Sequence, residues 1–212
     1  IQPDVGTALV YVAVFCVMVF VSGTDYKLIA SVLGCAVLLI IPVWYFMNNT
    51  SSSSFRLERI LMWLHPEDYP DEARQIINGQ IAIGSGGLLG LGLGKSRQKF
   101  LYLPEEHNDC IFAVVCEELG LIGACVVMLL FALLILRGFW IALHAKDRFG
   151  TLMVVGIMTL ISLQTFLNIA VVTGLIPATG ISLPFFSYGG TALALQLFEM
   201  GIVLSVSRQI QA

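Results

Sequence analysis

The chain has 212 residues, of which 58% are hydrophobic and only 12% are charged, with a net charge of −3. Soluble domains average about 45–50% apolar and about 25% charged residues, so this composition excludes a disordered chain and a water-soluble globule. The 11 basic residues are outnumbered by 14 acidic ones, which excludes a nucleic-acid binder built on a basic surface. The composition predicts a membrane protein, whose apolar surface is in contact with lipid.

Five apolar segments have the length of about 20 residues that an α-helix needs to cross a bilayer. They predict an all-α polytopic membrane protein with spans at 6–23, 27–47, 111–137, 149–176 and 190–207. The chain begins at Ile1 and shows no signal-peptide pattern before the first apolar run. We therefore expect that it lacks an N-terminal portion of a longer protein.

Basic residues in the short loops between the spans predict the orientation of the spans in the membrane. If all five segments cross the membrane, one side receives the cations Lys27, Arg137, Lys146, Arg148 and Arg208. The positive-inside rule makes that side cytoplasmic. The long polar insertion at 48–110 and the loop at 177–190 then face outward.

The insertion at 48–110 is predicted to be an extracytoplasmic loop within a single membrane domain that covers 1–212. Residues 55–64 are typical of a short amphipathic helix, and Trp63 suits the membrane interface. Residues 71–83 predict a second helix, with one apolar face formed by Ile76, Ile77 and Ile81.

A glycine-rich segment at 84–96 ends in Gly-Lys-Ser but is not a nucleotide-binding loop, because Leu89 stands where that motif requires glycine. One interpretation is a compact bend in which glycine permits unusual dihedral angles. The other is a cradle of backbone amides for an anionic ligand, beside Lys95, Arg97 and Lys99. The sequence favours the bend and leaves the cradle open.

The segment at 102–109 leads into the third predicted span. Asn108 or Asp109 suits the N-cap of that helix, where acidic residues are also favoured by the helix dipole. The same carboxylate, at the outer membrane surface with His107 and cations nearby, suits a general base that faces an anionic substrate. The two interpretations are compatible.

Several polar side chains fall inside the predicted spans. Carboxylates at membrane depth are costly and indicate function by default. On an ideal helix Glu117 lies about 80° around and about 12 Å deeper than Asp109, as a polar path leading inward would require. The alternative is hydrogen bonding between helices. The residues concerned are Glu117, Glu118, Gln164, Asn168 and Glu199.

Residues 174–190 contain two prolines and four glycines, which predict a break between the last two spans. Non-helical backbone near a membrane persists only where it is buried in protein or lines a wet cavity, so we expect the wall of a site. The three histidines are isolated from one another and no CxxC pair occurs, so the sequence indicates no metal site.

Taken in order, these motifs resemble one family. The blocks are Gln2-Pro3-Asp4-x-Gly6-Thr7, Gly84-Ser85-Gly86-Gly87, Gly94-Lys95-Ser96-Arg97-Gln98-Lys99, Leu103-Pro104-Glu105-x-His107-x-Asp109, Glu117-Glu118-Leu119-Gly120 and Pro177-x-x-Gly180-x-x-Leu183-Pro184-x-x-Ser187-Tyr188-Gly189-Gly190. This pattern resembles the SEDS family of bacterial shape, elongation, division and sporulation proteins (FtsW, RodA and SpoVE). The block that ends in Arg97-Gln98-Lys99 is closer to the division and sporulation branch. The resemblance implies that the chain is the C-terminal half of a bundle of about ten helices.

The resemblance implies a peptidoglycan glycosyltransferase in the bacterial cytoplasmic membrane that serves cell division, sporulation or cell shape. Such an enzyme joins lipid II units at the outer face and releases undecaprenyl pyrophosphate. The family's key aspartate corresponds to Asp109, to which we assign the general base. We assign Lys95, Arg97 and Lys99 to the charge of the leaving pyrophosphate.

The resemblance also implies further substrate contacts and partners. The remaining candidate substrate-binding residues are Glu105, His107, Glu117, Ser187, Gly189 and Gly190. The expected partners are a class B penicillin-binding protein and other divisome or elongation membrane proteins, with no nucleic acid. No cofactor is implied with certainty, and a divalent cation is left open. The alternative function is a lipid II flippase or another transporter of lipid-linked precursors, which broken helices and intramembrane acids suit.

Overall fold

A computed structural model of the protein describes residues 5–24, 34, 61–65, 68–69, 74–96 and 109–211. These residues form helices and connecting turns, and none of them lies in a β-strand, which confirms the all-α prediction. The five longer helices are α1 (Val5–Val21), α2 (Arg74–Ser85), α3 (Ile111–His144), α4 (Arg148–Val172) and α5 (Gly190–Gln211).

Three of these helices, α3, α4 and α5, are long and apolar enough to cross a membrane. They confirm helices at the predicted spans 111–137, 149–176 and 190–207, although α3 continues to His144 and α4 ends at Val172. The first predicted span is the shorter apolar helix α1. The span predicted at 27–47 lies outside the described residues, apart from residue 34, which is helical.

The helices α3 and α4 are joined by a short turn at 145–147 and therefore run in opposite directions. Asp147 has extended backbone angles, and its carboxylate accepts a hydrogen bond from the Gly150 amide at 3.0 Å, which caps α4. We call this end of the bundle the joint end. The opposite end, where α3 begins and residues 173–189 connect α4 to α5, is the loop end.

Helix α3 is interrupted at Gly120, which has φ 68° and ψ −171°. An unbroken helix of 34 residues would be about 51 Å long, well beyond the hydrocarbon core of about 30 Å. The interruption divides α3 into residues 111–119, most of which are buried in protein, and residues 121–144, half of which carry exposed apolar side chains. Only the second segment has the length and exposure of an ordinary membrane span.

Helix α2 and the turn that follows it pack against the first segment of α3 through small residues. Ala82 in α2 and Gly86, the residue after its end, are buried, whereas Ile77 is half-buried and Ile81 is 48% exposed. A Cβ atom at Gly86 would lie 3.0 Å from the carbonyl carbon of Cys116, so the two backbones are in close contact. Small residues permit an approach here that branched side chains would prevent, and the apolar face of Ile76, Ile77 and Ile81 stays a prediction.

Trp63 connects the insertion to the end of α4. Residues 61–64 are helical, and the rest of the helix predicted at 55–64 lies outside the described residues. The indole Nε1 of Trp63 donates a hydrogen bond to the carbonyl oxygen of Gly174 at 2.7 Å. The insertion therefore reaches the loop end of the bundle.

Buried apolar residues form two clusters. The loop-end cluster joins α2, α3, α4 and the connection before α5, and it includes Ala82, Phe112, Phe131, Val172 and Leu183. The joint-end cluster joins α3, α4 and α5, and it includes Ile141, Val154, Met158, Ile161, Val203 and Val206. The polar candidates Asp109 and Asn168 lie beside the loop-end cluster.

Candidate functional site

Asp109 lies immediately before the first turn of α3. The N-cap of this helix is Cys110, whose side chain makes no capping hydrogen bond. The prediction that Asn108 or Asp109 occupies the N-cap is therefore wrong. The amide of Ala113 donates to the Cys110 carbonyl at 3.0 Å, so the hydrogen-bond ladder of α3 begins after Asp109. Asp109 belongs to the connection rather than to the helix.

The carboxylate of Asp109 faces the connection between α4 and α5. Its Oδ2 atom lies 3.6 Å from the point that a Cβ atom on Gly180 would occupy. Gly180 has φ +72°, a conformation that residues with side chains rarely adopt. The start of α3 and the 177–190 loop therefore meet at the loop end, with no side chain from residue 180 between them.

Asn168 joins the same two segments from α4. Its Nδ2 atom donates to the carbonyl oxygen of Asp109 at 2.9 Å and to that of Ile181 at 2.8 Å. The side chain is only 1% exposed. This membrane-depth residue therefore bonds to two connecting segments rather than to another helix.

The 177–190 loop is an ordered turn that ends in the first residue of α5. The Leu183 amide donates to Ser187 Oγ at 2.7 Å, and the Ser187 amide returns a bond to the Leu183 carbonyl at 3.0 Å. Phe185 has φ 65°, and its amide donates to Gln196 Oε1 of α5 at 2.8 Å. Ser187 thus closes the turn, and a role in substrate binding stays a prediction.

The glycine-rich segment supplies amides to the interruption in α3. The break at Gly120 leaves two carbonyls without their usual amide partners. The Leu91 amide donates to the Glu117 carbonyl and the Gly92 amide to the Glu118 carbonyl, each at 3.0 Å. These two amides serve the helix, as the compact-bend interpretation requires, and they are not presented to an anion.

The segment also supplies acceptors to the other side of the interruption. The Leu121 amide donates to the Gly87 carbonyl at 2.9 Å, and the Ile122 amide donates to the Leu88 carbonyl at 3.2 Å. Four backbone groups that the break would leave unpaired in a low-dielectric interior are therefore all satisfied. The glycine-rich segment and α3 form one hydrogen-bonded unit, which we call the α3 junction.

Glu117 and Ser96 close the α3 junction. Ser96 Oγ donates to Glu117 Oε2 at 2.5 Å, and the two residues are 2% and 1% exposed, respectively. Lys95, the neighbour of Ser96, is exposed. The structure therefore gives Glu117 a definite partner within the chain, and its proposed contact with substrate stays a prediction.

The structure brings together only part of the predicted site. Asp109 lies beside the 177–190 loop, which contains Ser187, Gly189 and Gly190, whereas Glu117 and Lys95 lie at the α3 junction. Four other candidates lie outside the described residues, namely Arg97, Lys99, Glu105 and His107. Within the described ranges, no group of three His, Cys, Asp or Glu residues could hold a metal ion.

Two residues beside Asp109 were absent from the predicted site. Asn168 was singled out only as a polar residue at membrane depth, and Gly180 only as part of a motif. An amide inside an otherwise apolar helix is a usable signal, because it requires partners there. The sequence does not identify those partners.

The fold and the site define a class: a helical membrane protein with an interrupted helix and a carboxylate beside a proline- and glycine-rich connection. Residues 1–212 match the family model described as cell cycle protein, which covers FtsW, RodA and SpoVE. The chain belongs to this family, as the resemblance predicted.

Individual relatives agree with this membership. The chain is 48% identical to stage V sporulation protein E of Bacillus subtilis over 208 residues, which are 98% of this chain and 55% of that protein. It is 44% identical to the probable peptidoglycan glycosyltransferase FtsW of Geobacter sulfurreducens over 211 residues, 99% of this chain and 55% of that protein. The chain thus spans about half the length of the curated relatives that it matches.

A solved structure has a similar fold. It is described as the structural coordination of polymerization and crosslinking by a peptidoglycan synthase complex. The TM-score is 0.70 at 31% sequence identity, and the similarity covers 98% of this chain and 56% of that chain.

Proposed function

We propose that this chain contributes the catalytic aspartate of a peptidoglycan glycosyltransferase. The enzyme polymerises lipid II at the outer face of the bacterial cytoplasmic membrane and releases undecaprenyl pyrophosphate, in cell division, sporulation or cell-shape maintenance. Family membership and the names of the relatives support this reaction. The observation that carries it is the Asp109 carboxylate against Gly180 at the loop end of the bundle.

Asp109 acts as the general base. The acceptor sugar hydroxyl attacks the anomeric carbon of the other substrate and loses its proton, which a nearby carboxylate accepts. Gly180 has no side chain that would fill the space beside Oδ2. An acceptor hydroxyl can therefore approach the carboxylate from the side of the 177–190 loop.

The basic residues after the α3 junction stabilise the leaving group. Pyrophosphate gains negative charge as the glycosidic bond breaks, and cations at that position lower the barrier. Lys95 is exposed and follows a backbone that is bonded to α3, which supports a fixed position for it. We assign the same role to Arg97 and Lys99, and substrate contacts to Glu105 and His107.

The joint end faces the cytoplasm in this proposal, in a multi-pass arrangement. Arg137, Lys146 and Arg148 follow the positive-inside rule there, and the Arg137 guanidinium lies 4.1 Å from the Trp140 ring centroid, as is typical of a membrane interface. The similar structure concerns polymerization and crosslinking by one complex. By analogy we propose a class B penicillin-binding protein as the crosslinking partner.

The experiment uses the full-length protein, purified in detergent and supplied with fluorescent lipid II. Asp109→Asn removes the base and is expected to lower the polymerisation rate by about 10²- to 10⁴-fold while lipid II binding persists. The matched control is Asp147→Asn at the joint end, where asparagine caps a helix as well as aspartate does. Polymerisation at the normal rate by Asp109→Asn would overturn the proposal.

The transporter alternative predicts a different result. It rests on the intramembrane acids and on the break in α3, but the four backbone groups at that break are paired within the chain. It requires lipid II translocation in vesicles that depends on Glu117 or Glu199. Translocation lost in Glu199→Gln, with polymerisation absent from the normal protein, would favour the transporter.

A further inference from the structure

The side-chain amide of Asn168 binds two separate segments of the chain at once. Both hydrogens of Nδ2 are donated, one to the Asp109 carbonyl and one to the Ile181 carbonyl. The reversed amide would place Oδ1 against two carbonyl oxygens, so the orientation of the group is determined by its partners. The Oδ1 atom is buried and has no hydrogen-bond partner among the described residues.

Both acceptors lie outside regular secondary structure. The ladder of α3 begins at Cys110, and Ile181 lies in the connection between α4 and α5. Carbonyls of this kind need a donor in a low-dielectric interior, because an unpaired buried polar group is destabilising there. Asn168 supplies both donors from α4, the most buried of the three membrane-length helices.

We propose that Asn168 is a positioning residue for the reaction: it binds the backbones of Asp109 and Ile181 together and thereby holds the Asp109 carboxylate against Gly180. The inference rests on the proposed role of Asp109 as the base. Asn168 itself does not contact the substrate, because it is 1% exposed and both of its amide hydrogens are occupied.

This role differs from one in general stability. Loss of the amide would let the start of α3 and the 177–190 loop move apart, and a misplacement of about 1 Å can lower a rate by about 100-fold. Substrate binding would persist, because its contacts lie elsewhere. A residue needed only for folding would instead lower the amount of active protein and leave kcat per active molecule unchanged.

The experiment compares two variants of the full-length protein. Asn168→Leu keeps the approximate size of the side chain and removes both donors, and Asn168→Ser retains one donor if the leucine variant fails to fold. The matched control is Thr165→Val in the same helix. Thr165 is 5% exposed, and its hydroxyl has no partner among the described residues, so its loss is expected to be harmless.

Lipid II polymerisation and hydrogen exchange of residues 177–190 are measured together. We expect kcat per folded molecule to fall at least about 10-fold in Asn168→Leu and less in Asn168→Ser, with the KM for lipid II changed less than about twofold. Amides of the loop are expected to exchange at least about 10-fold faster in Asn168→Leu. Thr165→Val is expected to match the normal protein in both measurements.

Normal kcat and normal loop exchange in the Asn168 variants would overturn the inference. Equal losses in Thr165→Val would also overturn it, because the effect would then belong to any change in this part of α4. The proposed function fails separately, through normal polymerisation by Asp109→Asn. If only the inference about Asn168 is wrong, Asp109→Asn is still inactive, and the Asn168 variants show normal kcat and normal hydrogen exchange of the loop.

Discussion

The two segments of α3 have similar apolar composition and opposite surroundings. Residues 111–119 are mostly buried, with Ala113 fully so, whereas in residues 121–144 the side chains of Leu121, Leu129 and Leu136 are more than half exposed. Lipid solvates leucine as well as a protein interior does, so hydrophobicity does not determine which segment is buried. The presence of backbone partners determines it, because the glycine-rich segment lies beside residues 111–119 and bonds to their backbone.

The segments also differ in what holds them. Around Gly120 and Gly86 the neighbours are backbone atoms at close range, whereas Gly138 in the second segment faces the side chain of Met158. Backbone cannot move away without breaking hydrogen bonds, but a methionine side chain adapts readily. The first segment is therefore expected to tolerate added atoms poorly and the second to tolerate them better.

Gly120→Ala is expected to have the largest effect. A Cβ atom there would lie 2.6 Å from the Leu88 carbonyl oxygen, and the backbone angles are nearly exclusive to glycine. We expect the free energy of unfolding in detergent to fall by about 3 kcal/mol or more. The control is Gly201→Ala in α5, where nothing lies within 4 Å of the added atom and alanine favours the helix. Equal stability of the two variants would contradict the distinction between the segments.

Gly86→Ala and Gly138→Ala test backbone against side-chain contact directly. The first adds a methyl group against the Cys116 carbonyl, and the second adds one against Met158. We expect losses of about 2–3 kcal/mol and about 1–2 kcal/mol, respectively, in the same unfolding measurement. The reverse order would mean that the joint end, not the α3 junction, is the rigid part of the bundle.

Ser96→Ala is expected to have the smallest effect of the three tests. It removes the hydroxyl that donates to Glu117 and leaves a buried carboxyl group with one fewer partner. The expected loss of stability is about 1 kcal/mol. Ser162→Ala is the control, because within the described part of the chain the Ser162 hydroxyl bonds only to the Met158 carbonyl of its own helix. We expect Ser162→Ala to change the free energy of unfolding by about 0.5 kcal/mol or less. An equal loss in both variants would mean that the hydrogen bond at the α3 junction contributes no more to stability than one within a helix.

The helices were predictable because the apolar runs are long and the joints are polar. The predicted span at 111–137 missed the end of α3 at His144, since Trp140 and its apolar neighbours continue the helix past Arg137. The sequence predicted an apolar isoleucine face on the helix at 71–83, and it did not predict the close contact that Ala82 and Gly86 make with α3. Hydrophobic periodicity identifies a face that avoids water, and it does not identify the face that permits the closest contact.

The site was predictable in its motifs and not in its contacts. Asp109 and the 177–190 loop were both selected from the sequence, the first for its carboxylate and the second for its prolines and glycines. Their meeting at Gly180, and the amide of Asn168 that binds both, depend on the antiparallel packing of α3 and α4. No local pattern encodes a contact between residues so distant in the chain.

The sequence by itself determined that lipid surrounds the protein, that the fold is all-helical, which family the chain belongs to and where the Asp109 carboxylate lies in the chain. Composition, the length of apolar runs and the order of motifs are local properties, so they can be read without the tertiary structure. The tertiary structure alone decided that the glycine-rich segment repairs an interrupted helix rather than cradling an anion with Leu91 and Gly92. It also decided that the Asn168 amide bonds to the Asp109 carbonyl. Both outcomes follow from one requirement: backbone groups that leave a helix in a low-dielectric interior must find partners, and only packing brings those partners within reach.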